Sequence, residues 1–151
     1  MLARVFSGAT LGVDGYLVEV EADVAKGLPS FSTVGLPDNA VKESKDRIKS
    51  AVKNSGYSFP ARRITVNLAP ADVKKEGTSF DLPAAVAILK AVGAIKKDSL
   101  EEFIIIGELS LDGRVKPVRG ALPVAVFAKA LNKKLILPID NGIEASIVTG
   151  L

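Results

Sequence analysis

The segment DLPAAVAILKAVG, residues 81–93, is the feature of the sequence that most constrains its fold. It predicts a helix whose side chains are apolar on nearly every side, and such a helix has to be buried inside a domain. Gly93 is expected to end it. A second apolar helix is predicted for ALPVAVFAKALN, residues 121–132, which follows Gly120 and tolerates Pro123 in its first turn. Both helices need other elements of the chain to cover them.

The covering elements are predicted as strands, because apolar and polar side chains alternate in several short segments between turn residues. Residues 2–10 and 15–24 form the first predicted hairpin, with its turn at residues 13–15. Asp112-Gly113 is the strongest hairpin signal in the chain. The further predicted strands are residues 30–35, residues 64–70, the two segments that flank Asp112-Gly113, and a short buried strand at residues 134–138. Residues 1–151 are therefore expected to form a single α/β domain.

Asp38 predicts the start of a helix that runs to Asn54-Ser55-Gly56 and has one apolar and one basic face. The apolar face contains Val41, Ser44, Ile48, Ala51 and Val52. The other face carries four lysines and Arg47, with Glu43 and Asp46 among them, and two arginines immediately precede the strand at residues 64–70. The four lysines and these two arginines are six cations: Lys42, Lys45, Lys49, Lys53, Arg62 and Arg63.

The six cations are the candidate binding residues, and two interpretations are open. In the first, they solvate the surface, with local ion pairs, or meet acidic groups of a neighbouring protomer. In the second, they bind the phosphates of DNA weakly and without regard to sequence, because no aromatic or amide cluster beside them would read bases. The net charge of +3, from 20 Lys and Arg against 17 Asp and Glu, is compatible with nucleic acid without indicating it.

The composition excludes several kinds of chemistry. The chain has no cysteine and no histidine, so disulfides, thiolate metal sites and histidine bases are absent. No glycine is followed by lysine, so ATP is not expected to bind these residues through a P-loop. Glu76, Asp81 and Asp112 are isolated on predicted turns, where we expect capping or turn roles and no metal site. No apolar run is long enough to span a membrane, and we expect a cytoplasmic protein with no membrane partner.

The stretch KEGTSFDLP, residues 75–83, leaves open whether Ser79 is a nucleophile or a helix cap. The partial positive charge at a helix N-terminus favours an alkoxide or an oxyanion there. Capping needs the same position and no chemistry. In that case Thr78 or Ser79 would accept the free amides, with Asp81 three residues after Thr78 in a capping-box-like register.

Two segments carry a resemblance to a known family: VGLPDNAVKESKDRIKSAVKNSGYSFPARRITVNLAPADVKKEGTSFDLPAA at residues 34–85 and GELSLDGRVKPVRGALPVA at residues 107–125. In this order they resemble the N-terminal domain of the ComM/YifB proteins, which are magnesium-chelatase-related AAA+ ATPases. The resemblance implies the fold of the Lon peptidase domain, the RadA C-terminal domain and the GHMP kinases, also described as ribosomal-protein-second-domain-like. It implies a mixed sheet packed with helices and a left-handed βαβ crossover, against the usual right-handed rule.

The resemblance also implies the partners of this domain. The chain would be the non-catalytic N-terminal module of a cytoplasmic AAA+ ring, expected to be a hexamer, whose ATPase domain lies beyond residue 151 and binds ATP and Mg. The intact protein would act on DNA as a helicase in natural transformation and recombination, and the module would contact neighbouring protomers or DNA. No cofactor is expected within residues 1–151. A free-standing binding domain is the alternative that needs no motor.

Ser79 also matches the position of the catalytic serine of the Lon family, which follows a turn that residues 75–79 resemble. Leu122 stands where that family has its lysine. A Ser-Lys dyad requires a neutral amine within hydrogen-bond reach of the hydroxyl. The substitutes to consider are Lys74, Lys75, Lys90 and Lys116. Lys74 and Lys75 are expected to be solvated on a polar loop, so we expect a cap and no catalysis. A peptidase that uses Ser79 with an unidentified lysine is the remaining alternative.

Overall fold

The computed structural model describes residues 1–96 and 98–151, which form a six-stranded sheet, a two-stranded sheet and several helices. The strands are β1 (Leu2–Leu11), β2 (Asp14–Ala25), β3 (Ser30–Val34), β4 (Arg63–Ala69), β5 (Phe103–Ile105), β6 (Glu108–Leu109), β7 (Val115–Lys116) and β8 (Lys134–Ile136). The helices are α1 (Asn39–Lys42), α2 (Ser44–Asn54), α3 (Asp81–Ala91), α4 (Ala121–Ala130) and α5 (Gly142–Ala145), with 3-10 turns at Asp98–Glu102 and Ile139–Asn141.

The large sheet has the order β3-β4-β2-β1-β5-β8 and mixes both strand directions. β1 pairs antiparallel with β2, from Leu2 opposite Asp23 to Leu11 opposite Asp14, and β2 pairs antiparallel with β4. The β3–β4, β1–β5 and β5–β8 pairs are parallel. The α/β domain with a mixed sheet is therefore confirmed, while the left-handed crossover stays a prediction.

The first hairpin is tighter than predicted. β1 continues to Leu11 and β2 begins at Asp14, so Gly12 and Val13 form the turn that was predicted at residues 13–15. Gly12 has a φ of 65°, a left-handed conformation that glycine adopts without a steric penalty. This glycine allows the two strands to pair up to the turn itself.

One face of the large sheet carries the main core. Val5, Val20 and Val66 point to this face, where α2 and α3 cover them through Ile48 and Ile88. All five side chains are at most 1% exposed. The buried position predicted for the first apolar helix is therefore confirmed for α3.

α4 packs against the opposite face of the sheet. Leu17 contacts the cluster around α4, whereas its neighbour Val18 belongs to the main core. An added Cβ on Gly8 would lie 2.9 Å from Cγ1 of Val124, so this helix approaches the sheet too closely for a larger residue. The second predicted apolar helix is thus also confirmed.

The strand predicted before Asp112-Gly113 is interrupted. β5 ends at Ile105, and among the described strands β6 pairs only with β7, in the separate hairpin. Between them, the Gly107 amide donates to the Ser79 carbonyl at 3.0 Å, and the Gly107 carbonyl accepts the Leu82 amide at 3.0 Å. The strand stops here because these backbone groups bind the start of α3 instead of a neighbouring strand.

Thr78 and Ser79 do not provide the side-chain cap predicted for α3, so that prediction is wrong. The Asp81 amide binds the backbone carbonyl of Thr78 at 3.2 Å, and the Leu82 amide is bound as described above. Pro83 has no amide proton to satisfy. Because backbone carbonyls bind the first two amides of α3 and Pro83 has no amide proton, few free amides remain for a side-chain hydroxyl to cap.

The strand predicted as buried at residues 134–138 is shorter and lies at the edge of the sheet. β8 covers Lys134–Ile136, pairs with β5 alone, and has exposed or half-buried side chains. A short apolar segment does not show whether a neighbouring strand will lie on each side of it. The burial of β8 could therefore not be predicted from its own sequence.

Candidate nucleic-acid interface

The predicted basic helix consists of two segments, α1 and α2, which meet at Glu43. Asp38 caps the first segment as predicted, because its Oδ1 accepts the Val41 amide at 2.8 Å. The predicted apolar face is buried throughout: Val41, Ser44, Ile48, Ala51 and Val52. Burial of this face leaves the lysines of α2 on the solvent side.

Three lysines of α2 and one arginine line a groove between α2 and the start of β3. Lys45, Lys49 and Lys53 recur at every fourth residue, about 6 Å apart along the helix axis. Arg62 lines the same groove from the segment that precedes β4. The groove has a volume of about 380 Å³. We call it the basic groove and define it by these four cations.

The basic groove accounts for the whole excess charge of the chain. Among the described residues that line it, four cations face one carboxylate, that of Asp46, which leaves a net charge of +3. The full sequence has 20 basic and 17 acidic residues, which is also +3. The remaining charges of the molecule therefore sum to zero, and the groove carries a charge equal to the net charge of the whole chain.

The candidate cations lack carboxylate partners. Within residues 1–96 and 98–151, none of the six forms an ion pair within 4.0 Å. Other cations of the chain are paired at 2.7–3.5 Å, among them Arg4, Arg47 and Lys116. Of the local ion pairs of the first interpretation, Arg47 forms one with Glu43 at 4.0 Å, but the six candidates form none and remain available to an external anion.

Two of the six candidates lie outside the groove. Lys42 is exposed at the end of α1. Arg63 is exposed at the start of β4, opposite Ser30 of β3 and Ala25 of β2. Arg62 lines the groove, whereas Arg63, the first residue of β4, does not. The structure brings four candidates together and leaves these two apart.

Two phenylalanines also line the basic groove, contrary to the expectation that no aromatic side chain accompanies the cations. The ring centroids of Phe31 and Phe59 are 6.4 Å apart, with 14° between the ring planes. Both rings are half-buried against the main core. Phe31 lies on β3 opposite Ile64, whereas Phe59 lies in the segment before Arg62, so only the pairing of β3 with β4 brings them together.

Arg47 lies on the same helix and has a different role. Its Nε donates to Oδ2 of Asp81 at 2.7 Å, and its Nη2 donates to Oδ1 at 3.0 Å. Asp81 is 1% exposed, and its Oδ2 also accepts the Leu109 amide at 3.1 Å. Burial raises the pKa of the Asp81 carboxyl, whereas the hydrogen bonds from Arg47 and Leu109 oppose that change. The cap or turn role predicted for Asp81 is wrong, because it joins α2, α3 and β6 through a buried ion pair.

Ser79 lies in a separate cleft of about 840 Å³, formed by the end of β1, the loop before α3 and the segment before α4. Ser79 is half-buried, and Leu122 is not among the residues that line this cleft. Three of the lysines considered as bases have other partners. These are Glu76 for Lys74 (3.8 Å), the Arg4 carbonyl for Lys90 (3.2 Å) and Glu108 for Lys116 (3.5 Å).

Lys75 is buried, which corrects the solvated position expected for it. Its side chain is 0% exposed, and its Nζ donates to the Gly35 carbonyl at 2.9 Å and to the Pro70 carbonyl. The Lys75 carbonyl accepts the Asp38 amide at 2.9 Å. Burial lowers the pKa of this ammonium. Lys75 therefore joins three loop segments, and its side-chain ammonium donates to backbone carbonyls rather than to Ser79.

The positions of the acidic side chains decide whether this domain can bind a metal ion. In the part of the chain that the structure describes, no three His, Cys, Asp or Glu side chains come close enough to hold a metal ion. Asp112 has the predicted turn role, because its Oδ1 accepts the Arg114 amide at 3.0 Å.

None of the described helices is long and apolar enough to cross a membrane.

Comparison with known proteins identifies the family. Residues 20–141 match the family described as subunit ChlI of Mg-chelatase. The chain belongs to this family. The ChlI-family chain is 44% identical over 148 residues to competence protein ComM of Haemophilus influenzae, and 44% identical over 149 residues to uncharacterized protein YifB of Escherichia coli. These alignments cover 98% and 99% of the chain and confirm the resemblance to the N-terminal domain of the ComM/YifB proteins.

A more distant relative agrees with the fold. Lon protease 2 of Bacillus subtilis is 29% identical over 143 residues, which cover 84% of this chain and 26% of the protease. The mixed sheet and the two apolar helices fit a Lon-like fold. The ChlI-family chain spans 29% of the length of ComM and of YifB, so the activities of these whole proteins are open to proposal only.

Proposed function

We propose that this chain is the non-catalytic N-terminal module of a cytoplasmic, ring-forming AAA+ ATPase, and that its basic groove engages DNA. In the intact protein, ATP and Mg bind an ATPase domain outside residues 1–151, and neighbouring protomers form a hexamer. The similarity to ComM, a competence protein, supports a role in natural transformation and recombination, where the motor acts on DNA as a helicase.

The concentration of unpaired cations in the basic groove is the observation that carries this proposal. Lys45, Lys49, Lys53 and Arg62 have no carboxylate partner within the described residues, and together with Asp46 they carry +3, which equals the net charge of the domain. Phosphates supply the missing anions, and the release of their counterions favours binding at low salt. Such contacts position the backbone without reading sequence, so the module holds DNA while the motor moves it.

Contact between protomers is the second candidate function, and the same observation favours it. Acidic side chains of a neighbouring protomer would neutralise the groove as phosphates do. Arg63 and Lys42, which are exposed outside the groove, are available to the same kind of contact. The two candidates differ in what is lost when the groove is reversed in charge: DNA affinity in one case, ring assembly in the other.

Charge reversal in the groove tests the two candidates. Lys49→Glu combined with Arg62→Glu is expected to weaken DNA binding about tenfold or more at low salt and to reduce the log-log salt slope by roughly 1.4–1.8, because two phosphate contacts are lost. Affinity is measured by fluorescence anisotropy across salt concentrations. Arg119→Glu combined with Lys129→Glu is the matched control, because these exposed cations make the same charge change outside the groove.

Ring assembly of the intact protein is measured in parallel. Weaker DNA binding with intact rings, in the groove variant alone, supports the DNA role. Lost rings with retained DNA affinity support protomer contact. Equal loss of affinity in the groove and control variants would show a dependence on net charge only and would contradict the DNA role of the groove, and no change in either property would contradict both candidates.

A further inference from the structure

We infer that the basic groove binds single-stranded DNA with a base stacked against the Phe31 and Phe59 rings, an inference that rests on the proposed DNA role of this groove. The proposed function requires only phosphate contacts. The aromatic pair adds a reason for the groove to prefer unpaired bases over a duplex.

The size of the groove favours a single strand. Its volume of about 380 Å³ lies at the lower end of the range of pockets that hold small ligands, about 300–1,000 Å³. A base with its sugar fits such a space, whereas a duplex presents stacked, paired bases that cannot enter it. A duplex would meet only the rim of the groove.

The arrangement of the lysines also fits one strand. Lys45, Lys49 and Lys53 form a single row about 12 Å long on one side of α2. A single row follows the phosphates of one backbone, and Arg62 adds a planar guanidinium that binds phosphate or lies over a base. A positively charged groove that follows a backbone beside aromatic rings is the arrangement by which proteins hold single strands.

The lining of the groove predicts stacking without sequence preference. Pro29 and Pro60 flank the phenylalanines, and neither proline has a backbone amide proton that would bind a base edge. No Asn or Gln is among the described residues that line the groove, which leaves Ser30 and Asp46 as the uncharged or acidic side chains that can contact a base edge. Each stacked base is expected to raise the affinity about 5- to 150-fold, and every base presents a ring face for this contact.

The test uses residues 1–151 and three fluorescent DNA probes at one salt concentration: an oligothymidylate of about twelve nucleotides, an abasic strand of the same length, and a duplex. Phe59→Leu keeps an apolar side chain against the core but removes the ring. It is expected to weaken oligothymidylate binding about 5- to 150-fold and to leave abasic and duplex binding unchanged. Phe59→Tyr keeps a ring and is expected to bind oligothymidylate as the unsubstituted chain does. Phe6→Leu, a half-buried phenylalanine outside the groove, is expected to change nothing.

The outcomes separate this inference from the proposed function. Equal binding of oligothymidylate and the abasic strand, or equal losses in Phe59→Leu and Phe59→Tyr, would overturn stacking while DNA binding by the lysines still stands. Binding of none of the three probes by the unsubstituted chain would overturn the proposed function as well. Thermal unfolding of each variant confirms that the fold is retained.

Discussion

Substitution of Asp81 by alanine is expected to lower the free energy of unfolding by about 3–5 kcal/mol. The substitution leaves the Arg47 guanidinium without the carboxylate that accepts from it at 2.7 and 3.0 Å, and it leaves the Leu109 amide without its acceptor. The Arg47 side chain is 21% exposed, so water compensates part of the loss and places the effect towards the lower end of the range. Urea unfolding of both proteins provides the measurement.

Two further variants test whether the loss of stability comes from breaking the buried ion pair. Asp46→Ala removes an exposed carboxylate of α2 that forms no ion pair among the described residues, and it is expected to change stability by about 0.5 kcal/mol or less. Arg47→Met combined with Asp81→Leu removes both charges and is expected to recover part of the stability, because no buried charge is left unpaired. A loss below about 1 kcal/mol for Asp81→Ala would contradict the buried ion pair.

Substitution of Lys75 by alanine is also expected to lower the free energy of unfolding, by about 3–5 kcal/mol. It removes a fully buried four-carbon stem and leaves the Gly35 and Pro70 carbonyls without a donor. Lys75→Met keeps most of the apolar volume and is expected to cost about 1–3 kcal/mol, which isolates the contribution of the amine. Lys74→Ala, one residue earlier on the exposed loop, is the matched control and is expected to be nearly neutral.

The stability contributed by Lys75 is also expected to depend on pH. Burial lowers the pKa of its ammonium below the ordinary value of 10.5, so the unfolded chain binds this proton more tightly than the folded chain. The unsubstituted chain should therefore gain stability relative to Lys75→Met as the pH rises from the lowered pKa towards 10.5. A constant difference between the two proteins across the alkaline range would contradict a lowered pKa.

The fold was largely predictable because its main signals are local. Period-two alternation located the long strands, and the segment at residues 81–93 required a buried helix whatever its neighbours. The interruption at Gly107 and the edge position of β8 were missed, because each depends on which distant backbone groups are available for pairing. No single segment of the sequence shows which distant strand it will pair with.

Buried polar residues were the least predictable part of the chain. Asp81 and Lys75 both lie where a turn or loop was expected, and each has a distant partner: Arg47 is 34 residues from Asp81, and Gly35 is 40 residues from Lys75. Local sequence shows the charge of such a residue but not the group that compensates its burial. A turn or a solvated loop was therefore the expectation in both cases.

The candidate site was predictable in part. Lys45, Lys49 and Lys53 lie four residues apart, which placed them on one helix face. In the structure Arg62 lines the same groove. The separation of Arg62 from Arg63 was not predicted, because it depends on where β4 begins and on how the preceding segment packs beside α2. The aromatic pair was not available, because it exists only through the pairing of β3 with β4.

The central claim is that DNA meets this domain at the basic groove, and amide chemical-shift mapping tests it most directly. Isotope-labelled residues 1–151 are titrated with oligothymidylate while each backbone amide is followed. The largest shifts are expected in residues 29–31, 45–53 and 59–62, with small shifts around Ser79. Shifts concentrated in the Ser79 cleft, or an absence of shifts that saturate with DNA at low salt, would contradict the claim.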